Sequence, residues 1–459
     1  MSLNPKFSPK TIANLEIGFG LVMLITVEFS LFWGTEPFSS WFYPFAWWSY
    51  ILMVDGIIYR IQGNSLIISR TPEFLVMIPW SVSIWLIFEM YNLRMENWYY
   101  VNIIDHQWLR WSGYFISYST VLPGIFETTE LLECLGLYSK AKTKARVVSN
   151  LHFPVFYLIG VLFLLLPLFF PRYCFPLVWL GFIFLLDPIN YIHGSPSLIR
   201  EWEEGHPRKL LLLLTSSLIC GFLWEFWNYW AQSKWIYTVP FFDELKIFEM
   251  PLAGFLGFPP FAVECYVIYN FISLFRFRRN WEKDNYLSAS RKRLPRKLLF
   301  ISTIIIISFY IIAFWAIDRY TVNSYTSPID RIPSLKKENI ATLHRLGIYS
   351  VAEFLKQCSQ EKDRKELQIH LNIPDRQFQE LIESARLIKL KWMGIKNFLL
   401  LKKVGITTIE KLSRQKPSNL YHSLVKVNKS KIQPPTKARV KIWVREARKL
   451  VEKNHNYFE

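Results

Sequence analysis

Acidic residues that could do proton chemistry lie inside apolar segments and occur as a duplicated set. The two copies keep one order at spacings of 132 to 137 residues: Asp55 with Asp187, Glu89 with Glu225, and Glu127 with Glu264. An aspartate at the centre of a membrane helix costs about 2.5–3.5 kcal/mol on insertion scales, so such acids are interpreted first as functional. We predict one central site lined from both halves, with these six acids and Glu249 as catalytic candidates.

Amide and aromatic side chains accompany the acids. In both copies a Glu-x-x-Asn motif places an asparagine on the same helix face as the glutamate, and a tryptophan-x-tyrosine pair follows. Three indoles bracket one acid in Trp224-Glu-Phe-Trp227-Asn-Tyr-Trp230, where ring faces would stabilise a cation by about 0.5–2 kcal/mol per contact. Interfacial anchoring of the helix end is the alternative. The predicted substrate-binding residues are Asn92, Asn228, Trp98, Trp224, Trp227, Trp235 and Tyr237.

A metal site is not predicted. Di-metal sites in helical bundles use Glu-x-x-His, whereas both copies here carry asparagine at the fourth position. His106 and His193 lie beside the repeated motifs and remain alternative ligands, although a single loop histidine is more often solvated or hydrogen-bonded. No cofactor is predicted. The chain has neither a glycine-rich nucleotide-binding loop nor a nucleophile elbow, which argues against ATP-driven pumping and serine hydrolase chemistry.

Prolines interrupt the apolar segment that carries Glu264. Pro251, Pro259 and Pro260 break the backbone hydrogen-bond ladder, which a membrane tolerates only where protein or a water-filled cavity satisfies the freed groups. We therefore expect a broken or re-entrant element, in which a buried carboxylic acid could deliver a proton. The alternative is that Glu127 and Glu264 cap broken helix ends or pair with basic residues.

Membrane helices are the elements that must position these residues. A helix needs about 20 apolar residues to cross the hydrocarbon, and nine segments are candidates: 11–33, 41–60, 73–93, 109–135, 151–171, 174–192, 209–231, 250–275 and 297–317. Two sets of four would give both copies one orientation, related by an axis along the membrane normal. Basic loop residues, among them Arg60 and Arg70, predict that these loops face the cytoplasm.

Charge divides the chain into an apolar body and a basic tail. The net charge is +18, and residues 331–459 hold 28 Lys and Arg against 12 Asp and Glu. We predict an all-α protein: a polytopic membrane helix bundle of two parallel tandem repeats, at residues 1–150 and 151–296, a last membrane helix and linker at 297–330, and a soluble helical domain at 331–459. Five cysteines without CxxC spacing imply neither a disulfide framework nor a zinc site.

The membrane body resembles the small-domain lycopene cyclases over residues 40–275. The resemblance is carried by the tandem multi-helix repeats, by Trp98-Tyr-Tyr100 and Trp235-Ile-Tyr237, and by the proline-and-glutamate element Glu249-Met-Pro251. That family closes carotenoid end rings by protonating a polyene with a carboxylic acid, without net redox change. The resemblance implies an isoprenoid substrate and no redox cofactor.

The tail contains a second repeat, at a spacing of 58 residues. Leu346-Gly347-Ile348 and Val351 recur as Val404-Gly405-Ile406 and Ile409, which predicts a helix, a glycine C-cap and a second helix in each copy. The pattern resembles helix-hairpin-helix modules of a family of unknown function. Nucleic acid is not a predicted partner, because the glycine-rich hairpins that hold phosphate in DNA-binding members of that class are poorly matched.

Basic stretches of the tail indicate an acidic partner. We predict contact with acidic lipid headgroups, worth about 1 kcal/mol per basic residue near the surface, or with a protein partner. A plain solubilising surface is the alternative. The predicted contact residues are Lys402, Lys403, Lys437, Arg439 and Lys441.

Three classes of function fit an integral multi-pass protein, which we expect in the bacterial inner (cytoplasmic) membrane. The favoured class is an enzyme of the cyclase or isomerase type that does acid–base chemistry on an apolar isoprenoid, carotenoid or lipid substrate between the two repeats. A proton-coupled transporter would use paired midplane acids equally well. A non-catalytic scaffold would recruit partners through its tail. Proline-broken aromatic segments favour a closed substrate pocket over a polar pathway.

Overall fold

The computed structural model describes residues 8–33, 35–104, 106–239, 246–288, 295–322, 329, 332, 334–390, 393–428, 435 and 437–455. Helices dominate these residues and strands are few, so the predicted all-α bundle is confirmed. The chain divides into two compact units, which we call the apolar unit (residues 1–99 and 111–317) and the tail unit (residues 100–110 and 318–459).

The elements follow the chain in two similar series. The first comprises α1 (Pro9–Trp33), α2 (Phe42–Gln62), α3 (Thr71–Met95), β1 (Trp98–Val101), α4 (Gln107–Tyr118) and α5 (Val121–Cys134). The second comprises α6 (Phe153–Phe169), α7 (Pro171–Cys174), α8 (Val178–Ile192), α9 (Leu198–Glu203), α10 (Arg208–Trp230), β2 (Lys234–Tyr237), β3 (Lys246–Ile247), β4 (Met250–Pro251) and α11 (Phe258–Leu274), before α12 (Lys283–Ser288) and α13 (Arg296–Ala316). Strand β1 pairs with β2, and β3 pairs with β4.

Among the described residues, six segments are long and apolar enough to cross a membrane: Pro9–Leu31, Thr71–Met95, Pro171–Ile192, Arg208–Trp230, Leu252–Leu274 and Lys297–Thr321. They overlap six of the nine predicted spans. Of the other three, 41–60 forms α2, 151–171 forms the 17-residue α6, and 109–135 is interrupted.

The prediction of one continuous helix over residues 109–135 is wrong, because α4 ends at Tyr118 and α5 begins at Val121. Ser81 of α3 bridges the gap. Its hydroxyl donates to the Tyr118 carbonyl at 2.7 Å and accepts from the Leu122 amide at 3.0 Å. Backbone groups released at a break inside an apolar bundle need such partners. Pro123 falls in the first turn of α5, where a missing N–H leaves no intrahelical bond unmade.

The proline-containing segment is also interrupted, at the place that its prolines predict. Strand β4 is followed by a 3-10 segment, Leu252–Gly257, and α11 begins only at Phe258. The single span predicted at 250–275 is therefore a non-helical entry followed by a 17-residue helix. Glu264 lies in the second turn of that helix, close to the break.

Glycines allow close helix packing at equivalent places in the two series. A Cβ added to Gly20 of α1 would lie 2.7 Å from the Ser49 carbonyl oxygen of α2. A Cβ added to Gly160 of α6 would lie 2.7 Å from the Leu185 amide nitrogen of α8. Small residues let the backbones of membrane helices approach closely. Each series thus begins with a tightly packed helix pair.

The tail unit contains α14 (Lys337–Arg345), α15 (Val351–Gln357), α16 (Glu361–Leu371), α17 (Asp375–Lys389), α18 (Gly394–Lys403), α19 (Ile409–Ser413), α20 (Pro417–Val427) and α21 (Lys437–His455). Its 58-residue repeat corresponds to two similar turns. Gly347 and Gly405 have φ values of +75° and +81°. Ser350 and Thr408 then cap α15 and α19, because each hydroxyl accepts from the amide three residues later. Equivalent apolar side chains are buried, among them Leu343 with Leu401 and Phe354 with Leu412.

Candidate functional site

Asp55 lies near the end of α2 and fixes the turn that follows. Its Oδ2 accepts from the Ser65 hydroxyl at 2.7 Å, and its Oδ1 accepts from the Ile67 amide at 2.6 Å. The residue is fully buried. Donors of this kind compensate the charge of a buried carboxylate. Asp55 therefore has a structural task, which is to hold the connection between α2 and α3.

Asp187 makes the equivalent bonds in the second series. It accepts from the Ser197 hydroxyl at 3.1 Å and from the amides of Leu198 and Ile199 at 3.1 and 2.9 Å. These are the residues that the sequence repeat aligns with Ser65-Leu66-Ile67. The two aspartates thus account for the repeated Ser-Leu-Ile motif. Their hydrogen bonds leave them less available for chemistry than the repeated glutamates.

The repeated asparagines clamp the strands that follow their helices. Asn92 of α3 donates from Nδ2 to the Trp98 carbonyl at 2.9 Å and accepts at Oδ1 from the Trp98 amide at 3.2 Å. Asn228 of α10 makes the same two bonds to Trp235, at 2.9 and 3.0 Å. Each side-chain amide donates one bond and accepts one bond at the same backbone residue, as a neighbouring strand would. Both asparagines are therefore engaged in holding backbone.

Glu89 and Glu225 accept hydrogen bonds from aromatic side chains. Trp85 and Trp98 both donate from Nε1 to Glu89 Oε1, at 2.9 and 3.1 Å. The Tyr237 hydroxyl donates to Glu225 Oε1 at 2.8 Å. Both glutamates are fully buried, and Oε2 of Glu225 has no hydrogen-bond partner among the described residues. Aromatic donors thus orient each acid, and at Glu225 one oxygen is left for another group.

Glu127 and Glu264 are the least satisfied of the repeated acids. Both are 0% exposed. Glu264 accepts one hydrogen bond at Oε1, from the Phe182 amide at 3.0 Å. In the described part of the chain, neither Oε2 of Glu264 nor either oxygen of Glu127 has a hydrogen-bond partner. A buried carboxyl without donors is costly as an anion, so these two positions are the best placed for proton chemistry.

An aromatic cluster drawn from both series lies one turn from Glu264. Its centre is Phe261, which is 3% exposed. Four rings have centroids between 5.4 and 5.9 Å from the Phe261 ring: Trp85 and Phe88 of α3, Trp179 of α8 and Trp224 of α10. Aromatic edges and faces at such distances stabilise one another and present a negative ring face to cations.

Trp224 and Trp227 belong to the core of the apolar unit. The centroid of the fully buried Trp47 lies 5.4 Å from that of Trp224 and 5.1 Å from that of Trp227. By contrast, Trp230 at the end of α10 is 56% exposed. Interfacial anchoring therefore fits the exposed Trp230, but it does not fit the buried Trp224 and Trp227.

Glu249 is held in an ion pair. Its Oε1 lies 3.2 Å from the Lys234 Nζ, and that ammonium group lies 5.2 Å from the centre of the Tyr229 ring. The glutamate is 3% exposed. A buried, ion-paired carboxylate is costly to separate from its partner. Glu249 is thus better suited to holding positive charge near β2 than to delivering a proton.

The sequence interpretation missed a buried ion pair beside Glu127. Arg70 is fully buried, and its Nη2 lies 2.7 Å from both Oε1 and Oε2 of Glu130. Arg70 lies in the loop before α3, but its charge is held inside the protein. Glu16 of α1, which interacts with Asp55, was also missed, because it has no counterpart in the repeat. An acid inside the apolar run 11–33 is the pattern that could have identified it.

The described residues contain no group of three or more His, Cys, Asp or Glu side chains that could hold a metal ion. Asp105, next to His106, lies outside the described residues.

The predicted contact residues of the tail differ in exposure. Lys402 and Lys403 end α18, and Lys437 and Lys441 lie on α21; all four are exposed. Arg439 is only 6% exposed. Arg439 is therefore less accessible to a headgroup than the four lysines.

Comparison with known proteins gives a family match for part of the tail only. Residues 333–450 match the model of a family described as a domain of unknown function, DUF4332. The match covers about a quarter of the chain and includes all five predicted contact residues. No curated protein matches the chain, and no solved structure matches it.

Proposed function

We propose that the apolar unit is an enzyme that does acid–base chemistry on an apolar substrate of the isoprenoid or lipid class. The observation that supports this most directly is Glu264, which is fully buried, receives one amide hydrogen bond and lies one turn from the aromatic cluster of Phe261. Such surroundings tolerate a neutral carboxylic acid far better than an anion. Glu264 is therefore assigned the role of proton donor to the substrate.

The aromatic cluster supports a cationic intermediate. Protonating a carbon–carbon double bond leaves positive charge on carbon, and each ring face stabilises a nearby cation by about 0.5–2 kcal/mol. Glu225, oriented by the Tyr237 hydroxyl at 2.8 Å, directly follows Trp224 of the cluster. Its unpartnered Oε2 would stabilise that charge or accept the proton that leaves. The resemblance to lycopene cyclases makes a linear polyene the first substrate to test.

The test is a comparison of lipid and pigment profiles. The full chain and the variants Glu264→Gln and Glu225→Gln are expressed at equal membrane levels in cells that make a linear polyene. Glu361→Gln is the matched control, since that glutamate is exposed on α16. We expect one new product with the wild type and the control, and its loss with Glu264→Gln. Identical profiles for all four chains would remove the enzyme proposal.

A proton-coupled transporter is the second candidate. It is favoured by Glu127, whose two oxygens have no hydrogen-bond partner among the described residues, because transporters keep such acids for proton binding. This candidate predicts unchanged lipid and pigment profiles together with a solute gradient that depends on the chain. The gradient should collapse when the proton gradient is dissipated, and it should be absent with Glu127→Gln.

For the tail we propose contact with acidic lipid headgroups through Lys402, Lys403, Lys437 and Lys441. Their exposure supports the proposal, and each would contribute about 1 kcal/mol near an anionic surface. The two glycine turns are proposed to be helix-hairpin-helix modules. The test is capture of anionic and neutral vesicles by the full chain in neutral nanodiscs. Capture of anionic vesicles should weaken with salt and with Lys402→Glu/Lys403→Glu, and equal capture of both vesicle types would exclude headgroup recognition.

A further inference from the structure

The carboxyl groups of Asp55 and Glu127 face each other inside the apolar unit. Glu127, on α5, is 0% exposed, and it lies within electrostatic and hydrogen-bonding reach of Asp55, on α2. Neither Glu127 oxygen receives a hydrogen bond from the described residues. Two ionised carboxylates are acceptors only, so neither could donate to the other.

If Asp55 and Glu127 were both ionised, the charged and titratable groups around Glu127 would not compensate the second negative charge. Glu130 and Arg70 also act on it, but Arg70 is committed to Glu130 by two bonds of 2.7 Å. Tyr50, on α2, also interacts with Glu127, but its hydroxyl is paired with Thr128 at 2.8 Å.

Asp55 and Glu127 differ in the hydrogen-bond donors around them. Asp55 accepts from the Ser65 hydroxyl and the Ile67 amide, whereas Glu127 has no donor. Placing one proton on Glu127 removes a buried charge and creates a donor that points at an acceptor. We propose that Asp55 and Glu127 form a proton-binding site, in which Glu127 carries one proton and donates it in a hydrogen bond to Asp55.

Glu16 adds a carboxyl group from α1 to the site. It lies on α1, is half-buried and interacts with Asp55 by charge and by a side-chain hydrogen bond. Its Oε2 is enclosed and has no partner among the described residues. A third carboxyl next to the pair offers a route by which the proton exchanges with the surroundings. The ligand of this site is a proton, and three carboxyls on three helices hold it.

The site belongs to the first series only. At the equivalent place in the second series, Glu264 accepts a hydrogen bond from the Phe182 amide. Asp187 accepts hydrogen bonds from one hydroxyl and two amides. The repeat spacing puts Val267 where Glu130 would be and Trp202 where Arg70 would be. The proton site is therefore independent of the proposed role of Glu264, and it would remain if the protein were not an enzyme.

Infrared spectroscopy of the full chain in nanodiscs tests the proposal. A protonated carboxyl has a C=O stretching band that is separate from the carboxylate bands and shifts in D2O. In the difference spectrum between wild type and Glu127→Gln, we expect the loss of one protonated carboxyl per chain at neutral pH. Asp55→Asn should shift that band, because the acceptor changes, and Glu16→Gln should slow its exchange in D2O. Glu361→Gln should remove carboxylate absorption only.

Loss of carboxylate absorption in Glu127→Gln would overturn the proposal, because Glu127 would then be ionised. If that absorption also responded to Na⁺, the site would hold a metal cation. Should the variants fail to accumulate, the wild type alone decides the question. A hydrophobic carbodiimide modifies protonated carboxyls in apolar surroundings, and peptide mass mapping should find the adduct on Glu127. Adducts confined to other acids would contradict the assignment.

Discussion

Replacing Arg70 by methionine tests the electrostatics of the apolar unit most severely. The guanidinium makes two 2.7 Å bonds to Glu130 and a 2.6 Å bond from Nη1 to the Trp281 carbonyl. Both side chains of the pair are buried, at 0% and 7% exposure. Methionine keeps most of the apolar stem but removes every one of these donors. Arg70→Met therefore leaves Glu130 as a buried carboxylate without its cation.

The expected cost follows from that geometry. Removing one partner of a buried ion pair destabilises a protein by about 3–5 kcal/mol, because the other charge is left uncompensated. The Gln62 Nε2 still donates to Glu130 at 2.6 Å, so we expect the lower part of that range from the carboxylate. The orphaned Trp281 carbonyl contributes about 1–3 kcal/mol more. We expect a total loss of about 4 kcal/mol.

A double-mutant cycle separates the charge from the lost packing. Adding Glu130→Gln to Arg70→Met removes the uncompensated charge and keeps an acceptor for Gln62, so at least half of the lost stability should return. The assay is SDS-induced unfolding followed by indole fluorescence, to which Trp281, stacked 4.6 Å from Phe126, is sensitive. If the double variant were no more stable than Arg70→Met, the charge argument would be refuted.

An exposed contact between a glutamate and a histidine of the same unit provides the control. Glu204 lies 3.5 Å from His206, and their side chains are 55% and 61% exposed. Surface pairs contribute about 0–1 kcal/mol, so Glu204→Gln should leave the unfolding midpoint nearly unchanged. An Arg70→Met effect as small as this control would mean that water reaches the Arg70–Glu130 pair, contrary to its burial.

Three further predictions concern packing, pH and backbone conformation. Trp47→Ala removes a fully buried indole and should cost about 3–5 kcal/mol in SDS unfolding; a cost near zero would contradict its position in the core. Burial raises the pKa of Glu201, which lies outside the candidate spans, from 4.5 to about 7. The folded state thus holds this proton longer, so between pH 4.5 and about 7 the wild type should lose stability relative to Glu201→Gln as pH rises. Alanine at Gly347 or Gly405 meets no atom within 4 Å, but the left-handed φ should cost about 1–2 kcal/mol at each; unequal losses on thermal melting would show that the two turns differ.

The sequence repeat predicted which aspartates and asparagines are equivalent in the two series, but it did not predict their hydrogen-bond partners. Spacing alone aligned Asp55 with Asp187 and Asn92 with Asn228. It could not reveal that the aspartates bind amides 11 or 12 residues later, because such bonds depend on how the chain turns between helices. Both pairs were therefore predicted as site residues, and the structure gives each a hydrogen-bonding task in the fold.

Predictions from hydropathy were wrong where polar side chains make structural hydrogen bonds inside an apolar segment. Residues 109–135 are apolar enough to predict one span, yet the chain breaks between α4 and α5, where the Ser81 hydroxyl bonds to backbone groups on both sides of the break. Arg70 lies in a short connection and was counted as a basic loop residue, whereas its partner Glu130 lies 60 residues away in the chain. Contacts at that separation cannot be found from local composition.

The two series also separate residues that the fold requires from residues that it does not. Asp55, Asp187, Asn92 and Asn228 occur in both copies and have their hydrogen bonds filled by the protein itself. Glu127 and Glu264 occur in both copies and do not. A buried acid whose oxygens are not all supplied with donors weakens a membrane bundle, so stability offers no reason for two of them at equivalent places. Proton chemistry does offer a reason, because an acid that the protein leaves unsatisfied is one that a proton or a substrate can satisfy.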